Sequence, residues 1–252
     1  MQRAMKRAMK LAAALAVAMV LATASGIAWY AFSPPGAEHL PLAGDLVSGA
    51  STEGRQLLAE SSHKTDHAQL EPFLLPQRRR AFCGPATSAA VTNAALHPTD
   101  PVTQFSVFDS AARKTKSELA VSLSGLTLEE LAELLRAQGL VVRTVHAEHA
   151  DVAAFRAAAL AALSEPLTFV VVNYDRRALN QSGAGHISPI GAYHAATDRL
   201  LVMDVATYKY PYTWVPVRTL WTAMNTVDLD SGRTRGYLLV SAGARAGGTP
   251  GG

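Results

Sequence analysis

The chain has 252 residues, enough for one domain of ordinary size with additional segments, and its 49% hydrophobic content provides for a sizeable core. Its formal net charge is +3, but residues 1–10 alone carry +4, which leaves −1 for the rest of the chain. The basic character therefore belongs to the N-terminus and does not predict a nucleic-acid partner. The single cysteine excludes an internal disulfide, so the fold must be stabilised by packing.

Residues 1–10 are basic and residues 11–32 carry no charge, a pattern typical of an export signal. Cleavage after Ala24, the last residue of an Ala-Thr-Ala site, would release a soluble protein. Alternatively, the uncharged residues span a bilayer, which needs about 20 residues, with Trp29 and Tyr30 at the far interface. We favour the uncleaved anchor. In a bacterial cell, either outcome predicts an exported protein on the periplasmic side of the inner membrane.

The region after this apolar segment gives weak signals. Residues 33–69 contain Pro34-Pro35-Gly36 and many polar side chains, and we predict a linker followed by a poorly determined segment. His63 and His67 lie four residues apart, but without a third ligand they do not predict a metal site. We predict one folded domain over 70–241 and a flexible tail over 242–252.

Helices and strands follow one another along this domain. Thr127 and Glu130 form a capping box that begins a helix, and Gly139 ends it. A run of β-branched residues over 167–174 predicts a buried strand. Further predicted helices cover 151–163 and 217–224, and further predicted strands cover 141–145, 186–194, 200–206 and 236–241.

Cys83 begins the segment with the strongest chemical signal. The small and apolar residues after it have helical spacing, and Gly84 and Pro85 suit the entry into a helix and its first turn. Cys83 would then lie at a helix N-terminus, where the helix dipole favours the thiolate and lowers the thiol pKa. Such a cysteine is a candidate nucleophile. The alternative is a buried small apolar residue, the commoner role of a lone cysteine.

His186 and Asp204 lie on the two arms of a predicted hairpin whose turn is at 196–198. Antiparallel pairing across this turn would bring the two side chains within reach of each other. A carboxylate hydrogen bonded to an imidazole fixes its tautomer and stabilises its positive charge. Gln77 precedes Cys83 by six residues and offers a neutral amide for a tetrahedral oxyanion, although a glutamine at that distance means little by itself.

Seven motifs resemble those of the phytochelatin synthase family, and their order and approximate spacing also fit. They are Phe-Cys-Gly-Pro-Ala-Thr-Ser from Phe82, Gly-Ala-Gly-His-Ile-Ser-Pro-Ile-Gly-Ala-Tyr from Gly183, Met-Asp-Val-Ala-Thr-Tyr-Lys-Tyr-Pro from Met203, Trp214-Val-Pro, Leu220-Trp, Met224-Asn-Thr-Val-Asp and Arg235-Gly-Tyr. The similarity covers about residues 70–241, which correspond to the family's N-terminal catalytic domain. The resemblance implies an α+β, papain-like cysteine protease fold, with a helical lobe that carries the nucleophile and an antiparallel β-sheet lobe that carries the histidine and aspartate.

The resemblance also implies roles for single residues. Cys83 falls on the nucleophile, His186 on the general base, Asp204 on the residue that orients it, and Gln77 on the oxyanion-hole glutamine. The family's substrate is glutathione. The thiolate attacks the Cys–Gly peptide bond, glycine leaves, and a γ-glutamylcysteinyl thioester remains on the enzyme. Another glutathione, a growing phytochelatin or water then takes the acyl group.

Four further residues are implied to bind substrate. Asp228 and Arg235 match residues that hold the γ-glutamyl end, whose free ammonium and α-carboxylate require one carboxylate and one guanidinium. Without the resemblance, both would be interpreted as surface residues near a turn. Lys209 and Tyr210 match the stretch that follows the family's catalytic aspartate, and we expect them to contact substrate.

The sequence departs from the family pattern in three places. Thr207 stands where the family often has arginine, and if that arginine places the acceptor, hydrolysis should dominate over transfer. The cysteine-rich C-terminal domain of the eukaryotic enzymes has no counterpart, so we expect weak metal activation and short products. The N-terminal segment implies that glutathione is met outside the cytoplasm.

The resemblance implies glutathione as the partner, no required cofactor and no metal ligands in the site. Heavy-metal ions such as Cd²⁺ and Zn²⁺ would act as activators or as thiolate complexes with the substrate, in keeping with metal detoxification. The membrane through residues 11–32, if uncleaved, and a homodimer are the other expected partners. Two alternatives stay open: a papain-like peptidase or amidase acting on other γ-glutamyl substrates such as glutathione S-conjugates, and a non-catalytic thiol module that binds metal.

Overall fold

A seven-stranded antiparallel sheet forms the centre of the computed structural model, which describes residues 2–109 and 116–243. The strand order is β1-β6-β5-β4-β3-β9-β2, and β7 and β8 form a separate hairpin. The strands are β1 (Val47–Ser48), β2 (Val141–His146), β3 (Thr168–Asp175), β4 (Gly185–His194), β5 (Arg199–Val202), β6 (Thr213–Pro216), β7 (Val227–Asp228), β8 (Arg233–Thr234) and β9 (Gly236–Ser241). The helices are α1 (Gln2–Phe32), α2 (Thr52–Glu60), α3 (Thr65–Leu70), α4 (Cys83–Leu96), α5 (Glu118–Ser124), α6 (Leu128–Ala137), α7 (Val152–Ser164) and α8 (Val217–Met224).

Helices cover both faces of the sheet, which explains the apolar run at 169–172 in β3. In β3, Phe169 and Val171 face the core formed with α4 and α6. Val170 and Val172 point the other way, into the core formed with α7 and α8. Since side chains alternate along a strand, a strand buried on both faces needs an unbroken apolar run. The mixture of helices with an antiparallel sheet confirms the predicted α+β class.

The helix that begins at Cys83 is the most buried helix of the domain. Every residue of α4 from Cys83 to Ala95 is buried. Its small side chains allow this, because the backbone approaches its neighbours closely: a Cβ added at Gly84 would lie 2.6 Å from Leu126 Cδ1. The capping box of α6 is also present, with Thr127 Oγ1 accepting from the Glu130 amide and the Glu130 carboxylate accepting from the Thr127 amide.

Residues 33–69 are better ordered than the linker and undetermined segment that the sequence predicts. β1 pairs with β6, and Leu57 lies in the core that contains α4, with Val47 and Leu58 packed against it. The indole of Trp214 donates a hydrogen bond to the Gly54 carbonyl at 3.0 Å. The sequence signal is weak because α2 and α3 are short, so each contributes too few apolar residues for a visible period.

His63 and His67 do not share a helix face. The carbonyl of His63 accepts from the Tyr193 amide before α3 begins, whereas His67 lies within α3, 3.9 Å from Glu71. Within residues 2–109 and 116–243, no group of three or more His, Cys, Asp or Glu side chains is arranged to hold a metal ion.

The N-terminal helix α1 is long and apolar enough, over Met5–Phe32, to cross a membrane, and a signal sequence has the same properties. Its end contacts the folded domain. The Arg79 guanidinium lies 4.8 Å from the Phe32 ring centroid, and that of Arg80 lies 4.4 Å from the Tyr30 ring centroid. The predicted tail lies outside the described residues from position 244 onward.

Asp66 in α3 gives a prediction for the stability of the fold. Its side chain is buried, Oδ2 has no hydrogen-bond partner among the described residues, and burial raises the pKa of this carboxyl to about 8. The folded state therefore binds a proton that the unfolded state has lost, from about pH 4 to about pH 8. The free energy of unfolding should decrease as the pH rises through this window, by at most about 1.4 kcal/mol per pH unit.

Urea unfolding of the full chain in mild detergent at pH 5 and pH 8 measures this slope. In Asp66→Asn the slope should be much smaller, because the asparagine does not titrate. The control is Glu53→Gln, which removes an exposed carboxylate from the first turn of α2. An equal slope in Asp66→Asn and the wild type would contradict the assignment.

Candidate active site

Cys83 is the first residue of α4, as the sequence predicts. The first backbone N–H groups of a helix have no acceptor within the helix. In α4 the N-cap residue is Phe82, whose side chain cannot accept a hydrogen bond from them. The thiol is 9% exposed and lines a cavity of about 460 Å³. The nucleophile candidate thus combines burial with access from one side.

His186 on β4 and Asp204 just beyond the end of β5 lie beside Cys83. Nε2 of His186 lies 2.8 Å from Asp204 Oδ1, which leaves Nδ1 for the thiol, and Cys83 hydrogen bonds with the imidazole. Both side chains are buried. The Asp204 carboxylate also accepts the backbone N–H of Ala206 at 2.7 Å, which holds it in place just beyond β5.

The hairpin of β4 and β5 accounts for this contact. Its register pairs Ile190 with Val202, and beyond a bulge at Gly191 the Met203 amide donates to the Pro189 carbonyl at 2.9 Å. The strand pairing therefore ends just before Asp204. Its carboxylate then reaches back to the start of β4, where His186 lies.

Arg176 completes the buried polar cluster and was not singled out by the sequence analysis. Its Nη2 donates to both oxygens of Asp204, at 2.9 and 2.7 Å, and its Nη1 donates to Gln181 Oε1 at 2.8 Å. Its guanidinium lies 5.1 Å from the ring centroid of Tyr210. In the sequence Arg176 and Arg177 look like solvated loop residues. One signal was available in the sequence. The two arginines directly follow a predicted buried strand, and the loop that they begin leads to the strand that carries His186.

Burial acts to raise the pKa of the Cys83 thiol, but the hydrogen bond and the charge of His186 outweigh it and hold the pKa below its ordinary value. Burial and the charge of Arg176 act to lower the pKa of His186, whereas Asp204 and Cys83 raise it, and the net direction is upward. Burial also acts to raise the pKa of Asp204, yet His186 and Arg176 hold it well below its usual range. The resting state favoured by these shifts is a thiolate with an imidazolium and a carboxylate.

These directions predict how fast Cys83 reacts with a neutral alkylating reagent such as iodoacetamide. The rate should approach its plateau well below the ordinary cysteine pKa of about 8.5. Because Asp204 raises the pKa of His186, Asp204→Asn should weaken the imidazolium, raise the thiol pKa and slow alkylation near pH 6. The chain has one cysteine, so the signal belongs to Cys83 alone. A midpoint at the ordinary cysteine pKa in the wild type would contradict the thiolate–imidazolium pair.

The large cavity beside Cys83 also contains Asp228 and Arg235, the two predicted γ-glutamyl contacts. Arg235 is buried, donates to the Val227 carbonyl at 2.7 Å, and lies 3.8 Å from Asp228 Oδ1. Its Nε is buried without a partner among the described residues. Gly185 lets the guanidinium approach, since a Cβ there would lie 3.0 Å from Arg235 Nη2. A cation and an anion therefore lie together in the wall of the cavity.

A second cavity of about 100 Å³ adjoins the first, and Arg80, Ala184, Gly185 and His186 line both. Gln77 and Lys209 also line the second cavity. Gln77 Nε2 donates to the carbonyls of Arg79 and Arg80, at 2.9 and 2.7 Å, and its buried Oε1 has no partner among the described residues.

Lys209 and Tyr210 occupy different environments. Lys209 Nζ forms an ion pair with Glu38 at 3.2 Å in the wall of the second cavity. Tyr210 is buried behind that wall, where its hydroxyl accepts the Ser182 amide at 2.7 Å and its ring supports Arg176. The described linings of the two cavities do not include Tyr210. Its substrate-binding role stays a prediction, and the structure assigns it a supporting position.

Asn173 is another residue that the sequence analysis missed. It is buried on β3 and lines the large cavity close to Cys83 and His186. The available signal was a single amide in an otherwise apolar run of β-branched residues. A polar residue at such a position requires a partner, and a cavity that receives a polar ligand can supply one.

The arrangement of thiol, imidazole and carboxylate defines the class of site that cysteine-nucleophile enzymes use. The sequence model of the phytochelatin synthase family matches residues 37–237. The chain is 34% identical to glutathione gamma-glutamylcysteinyltransferase 1 of Lotus japonicus over 203 residues, which are 77% of this chain and 40% of the relative. It is 36% identical to the enzyme of that name from Triticum aestivum over 201 residues, 77% of this chain and 40% of the relative.

A more distant relative is the glutathione gamma-glutamylcysteinyltransferase of Schizosaccharomyces pombe, 27% identical over 78% of this chain and 46% of the relative. The chain belongs to the phytochelatin synthase family, which confirms the resemblance. It spans about two fifths of the length of the plant relatives it matches.

Proposed function

We propose that this protein is a glutathione γ-glutamylcysteinyltransferase that works through a thioester on Cys83, with hydrolysis as its main outcome. The observation that carries the proposal is the buried Cys83–His186–Asp204 cluster beside a cavity that presents Asp228 and Arg235. The names of the relatives point to the same substrate.

The chemistry follows from the protonation states. The Cys83 thiolate attacks the carbonyl carbon of the Cys–Gly amide, and the imidazolium of His186 donates its proton to the glycine nitrogen as the C–N bond breaks. A γ-glutamylcysteinyl thioester and free glycine result. Neutral His186 then takes a proton from the incoming water or amine, which attacks the thioester carbonyl and releases the thiolate. Asp204 stabilises the imidazolium at each transfer.

The γ-glutamyl end fits the charges of Asp228 and Arg235 in the wall of the large cavity. Arg235 Nε has no partner among the described residues, so an α-carboxylate would satisfy it, and Asp228 would pair with the α-ammonium. Binding this end would place the cysteinyl carbonyl of the substrate towards Cys83. The fit supports a γ-glutamyl substrate over an ordinary peptide, which lacks a free α-amino acid group at that position.

The tetrahedral oxyanion would be stabilised by Gln77 and by the N-terminal backbone N–H groups of α4. Both amide hydrogens of Gln77 donate to backbone carbonyls in this structure, so its part requires one of those bonds to be exchanged for a bond to the substrate. We assign the papain-like arrangement on the same grounds: α4 carries the thiol in the helical lobe, and the sheet carries His186 and Asp204.

Incubation with glutathione tests the function, and Thr207 tests the product ratio. Free glycine with γ-glutamylcysteine as the main product is expected; no glycine release would overturn the proposal, and rapid formation of long polymers would overturn the predominance of hydrolysis.

Thr207→Arg restores the residue that the family often has, beside the wall formed by Ala206 and Tyr208. It should raise the ratio of dimeric phytochelatin to γ-glutamylcysteine about tenfold, since a charge-assisted hydrogen bond contributes about 1.5 kcal/mol or more. Thr222→Arg, on the exposed face of α8, controls for the added charge.

The length and apolar composition of α1 are consistent with export. We propose that the enzyme acts on the periplasmic side of the bacterial inner membrane, with α1 retained as an anchor. Tyr30 and Phe32 hold the end of α1 against Arg80 and Arg79, next to the site. Cleavage after Ala24 would leave these contacts in place.

We propose that no resident cofactor takes part. Soft ions such as Cd²⁺ and Zn²⁺ would enter as thiolate complexes of glutathione, because thiolates are their preferred ligands. Comparing turnover of free glutathione with that of its Cd²⁺ complex tests this part of the proposal.

A specific observation favours glutathione S-conjugates as alternative substrates. Leu123, Leu126 and Leu229 are among the residues that line the large cavity, and the Leu229 side chain is exposed. These apolar side chains could receive a substituent on the substrate sulfur. The ratio of kcat/KM for S-alkylated and free glutathione would separate the two substrate classes.

A further inference from the structure

Arg80 lies where the two cavities meet, and it carries a charge that the mechanism above does not use. Its side chain lines both cavities together with His186. Its contacts are a 3.5 Å ion pair with Glu38 and the ring of Tyr30 at 4.4 Å. Its Nε is buried and has no partner among the described residues. The guanidinium is therefore held in position but not fully hydrogen bonded.

The other cations near His186 are engaged elsewhere. Arg176 forms a buried ion pair with Asp204 and donates to Gln181, and Arg177 pairs closely with Asp175. Arg235 faces Asp228 in the large cavity, where both are assigned to the γ-glutamyl group. Among the described residues that line the second cavity, this leaves Arg80 and Lys209.

Glu38 is shared by these two cations. It lies 3.5 Å from Arg80 Nη1 and 3.2 Å from Lys209 Nζ, so two positive charges face one negative charge. The wall of the second cavity thus carries an uncompensated positive charge beside His186. An anionic group bound in the second cavity would balance this positive charge.

The reaction brings a carboxylate to this place twice. The nitrogen that leaves must lie within hydrogen-bond reach of His186 to receive its proton, and the glycine carboxylate is one carbon away from that nitrogen. The acceptor amine must occupy the same place to return a proton to His186. In an acceptor glutathione this amine is the α-amino group of the glutamyl residue, which also has a carboxylate one carbon away. One cation can therefore serve both half-reactions.

We propose that Arg80, assisted by Lys209, binds the carboxylate adjacent to the reacting amine, first in the departing glycine and then in the acceptor. The inference rests on the proposed function. Breaking the amide transfers the His186 proton to glycine, and forming the new amide transfers one acceptor proton back to His186. Arg80 exchanges no proton in either step.

The test compares glutathione with its glycyl monoethyl ester, in which this carboxylate carries no charge. In the wild-type full chain, kcat/KM for release of the glycyl product should be about 10- to 100-fold higher for glutathione, as expected for a hydrogen bond to a charged group. Arg80→Gln should lose most of this preference by losing activity on glutathione, while its activity on the ester is retained. Arg80→Lys should recover part of the preference. Arg78→Gln, an exposed arginine that lines neither cavity, should behave like the wild type.

The acceptor side is tested by letting the thioester react with isotopically labelled glycine or glycinamide. The wild type should form labelled glutathione faster than the amide adduct, and Arg80→Gln should show a lower ratio of labelled glutathione to amide adduct than the wild type. A variant with wild-type preference for both carboxylates would overturn the role of Arg80, and so would equal loss of activity on glutathione and the ester. Absence of glycine release from the wild type would instead overturn the proposed function, and this inference with it.

Discussion

Cys83→Ala should abolish glycine release from glutathione, with a loss of at least about 10³-fold, because Cys83 is the single cysteine of the chain and alanine offers no nucleophile. In the wild type, mass spectrometry after incubation with glutathione should show an increase in mass equal to one γ-glutamylcysteinyl group. The increase should map to the peptide that contains Cys83 and be absent from the variant.

Ser88→Ala is the matched control for this experiment. Ser88 lies on the same helix, is fully buried, and its hydroxyl has no partner among the described residues. Its replacement removes a single heavy atom from α4 without touching either cavity, so the adduct and the glycine release should persist. An adduct that survives Cys83→Ala, or glycine release without any adduct, would rule out the thioester mechanism. Unchanged metal uptake by Cys83→Ala would in addition exclude the metal-binding module as the role of this thiol.

Arg176→Met should lower the free energy of unfolding by about 3–5 kcal/mol, because it leaves the Asp204 charge buried without its closest cation. Arg176 and Asp204 are 3% and 1% exposed, so solvent does not screen the loss. The double variant Arg176→Met/Asp204→Asn should recover much of the stability, since it removes the unpaired charge as well.

Arg177→Met provides the comparison at the adjacent residue. The Arg177–Asp175 ion pair, at 2.6 Å, is as short as the Arg176–Asp204 pair at 2.7 Å, but the Arg177 side chain is largely exposed. Its replacement should therefore change the free energy of unfolding by less than about 1 kcal/mol. Urea unfolding of the full chain in mild detergent measures all four proteins. Equal losses for the two arginine variants would show that burial of the Arg176–Asp204 pair does not decide the outcome.

A large part of the site could be predicted from the sequence because its signals are local. The helix after Cys83, the hairpin that joins His186 to Asp204, and the capping box at Thr127 each depend on residues close together in the chain. The match to the phytochelatin synthase family also follows from the order of short motifs. For these elements, the local pattern and the tertiary structure agree.

Other features required the tertiary structure. Residues 33–69 have no strong periodic pattern. Their order depends on the sheet and α4, which bury Leu57, and on Trp214, which donates a hydrogen bond to the Gly54 carbonyl. Arg176 and Arg177 are adjacent and chemically identical, yet one is buried against Asp204 and the other is exposed.

The sequence by itself determined the α+β class, the nucleophile candidate, its histidine and aspartate partners, and the N-terminal apolar helix. Only the tertiary structure decided which cations support Asp204 and which face the two cavities. It also placed Arg80 in the lining of both cavities, Asn173 in that of the large cavity, and Tyr210 behind the wall of the second cavity. The physical reason is that hydrogen-bonding capacity belongs to each residue, whereas burial and the distance between charges depend on segments far apart in the chain. Glu38, Arg80 and Lys209 come together only when the chain folds.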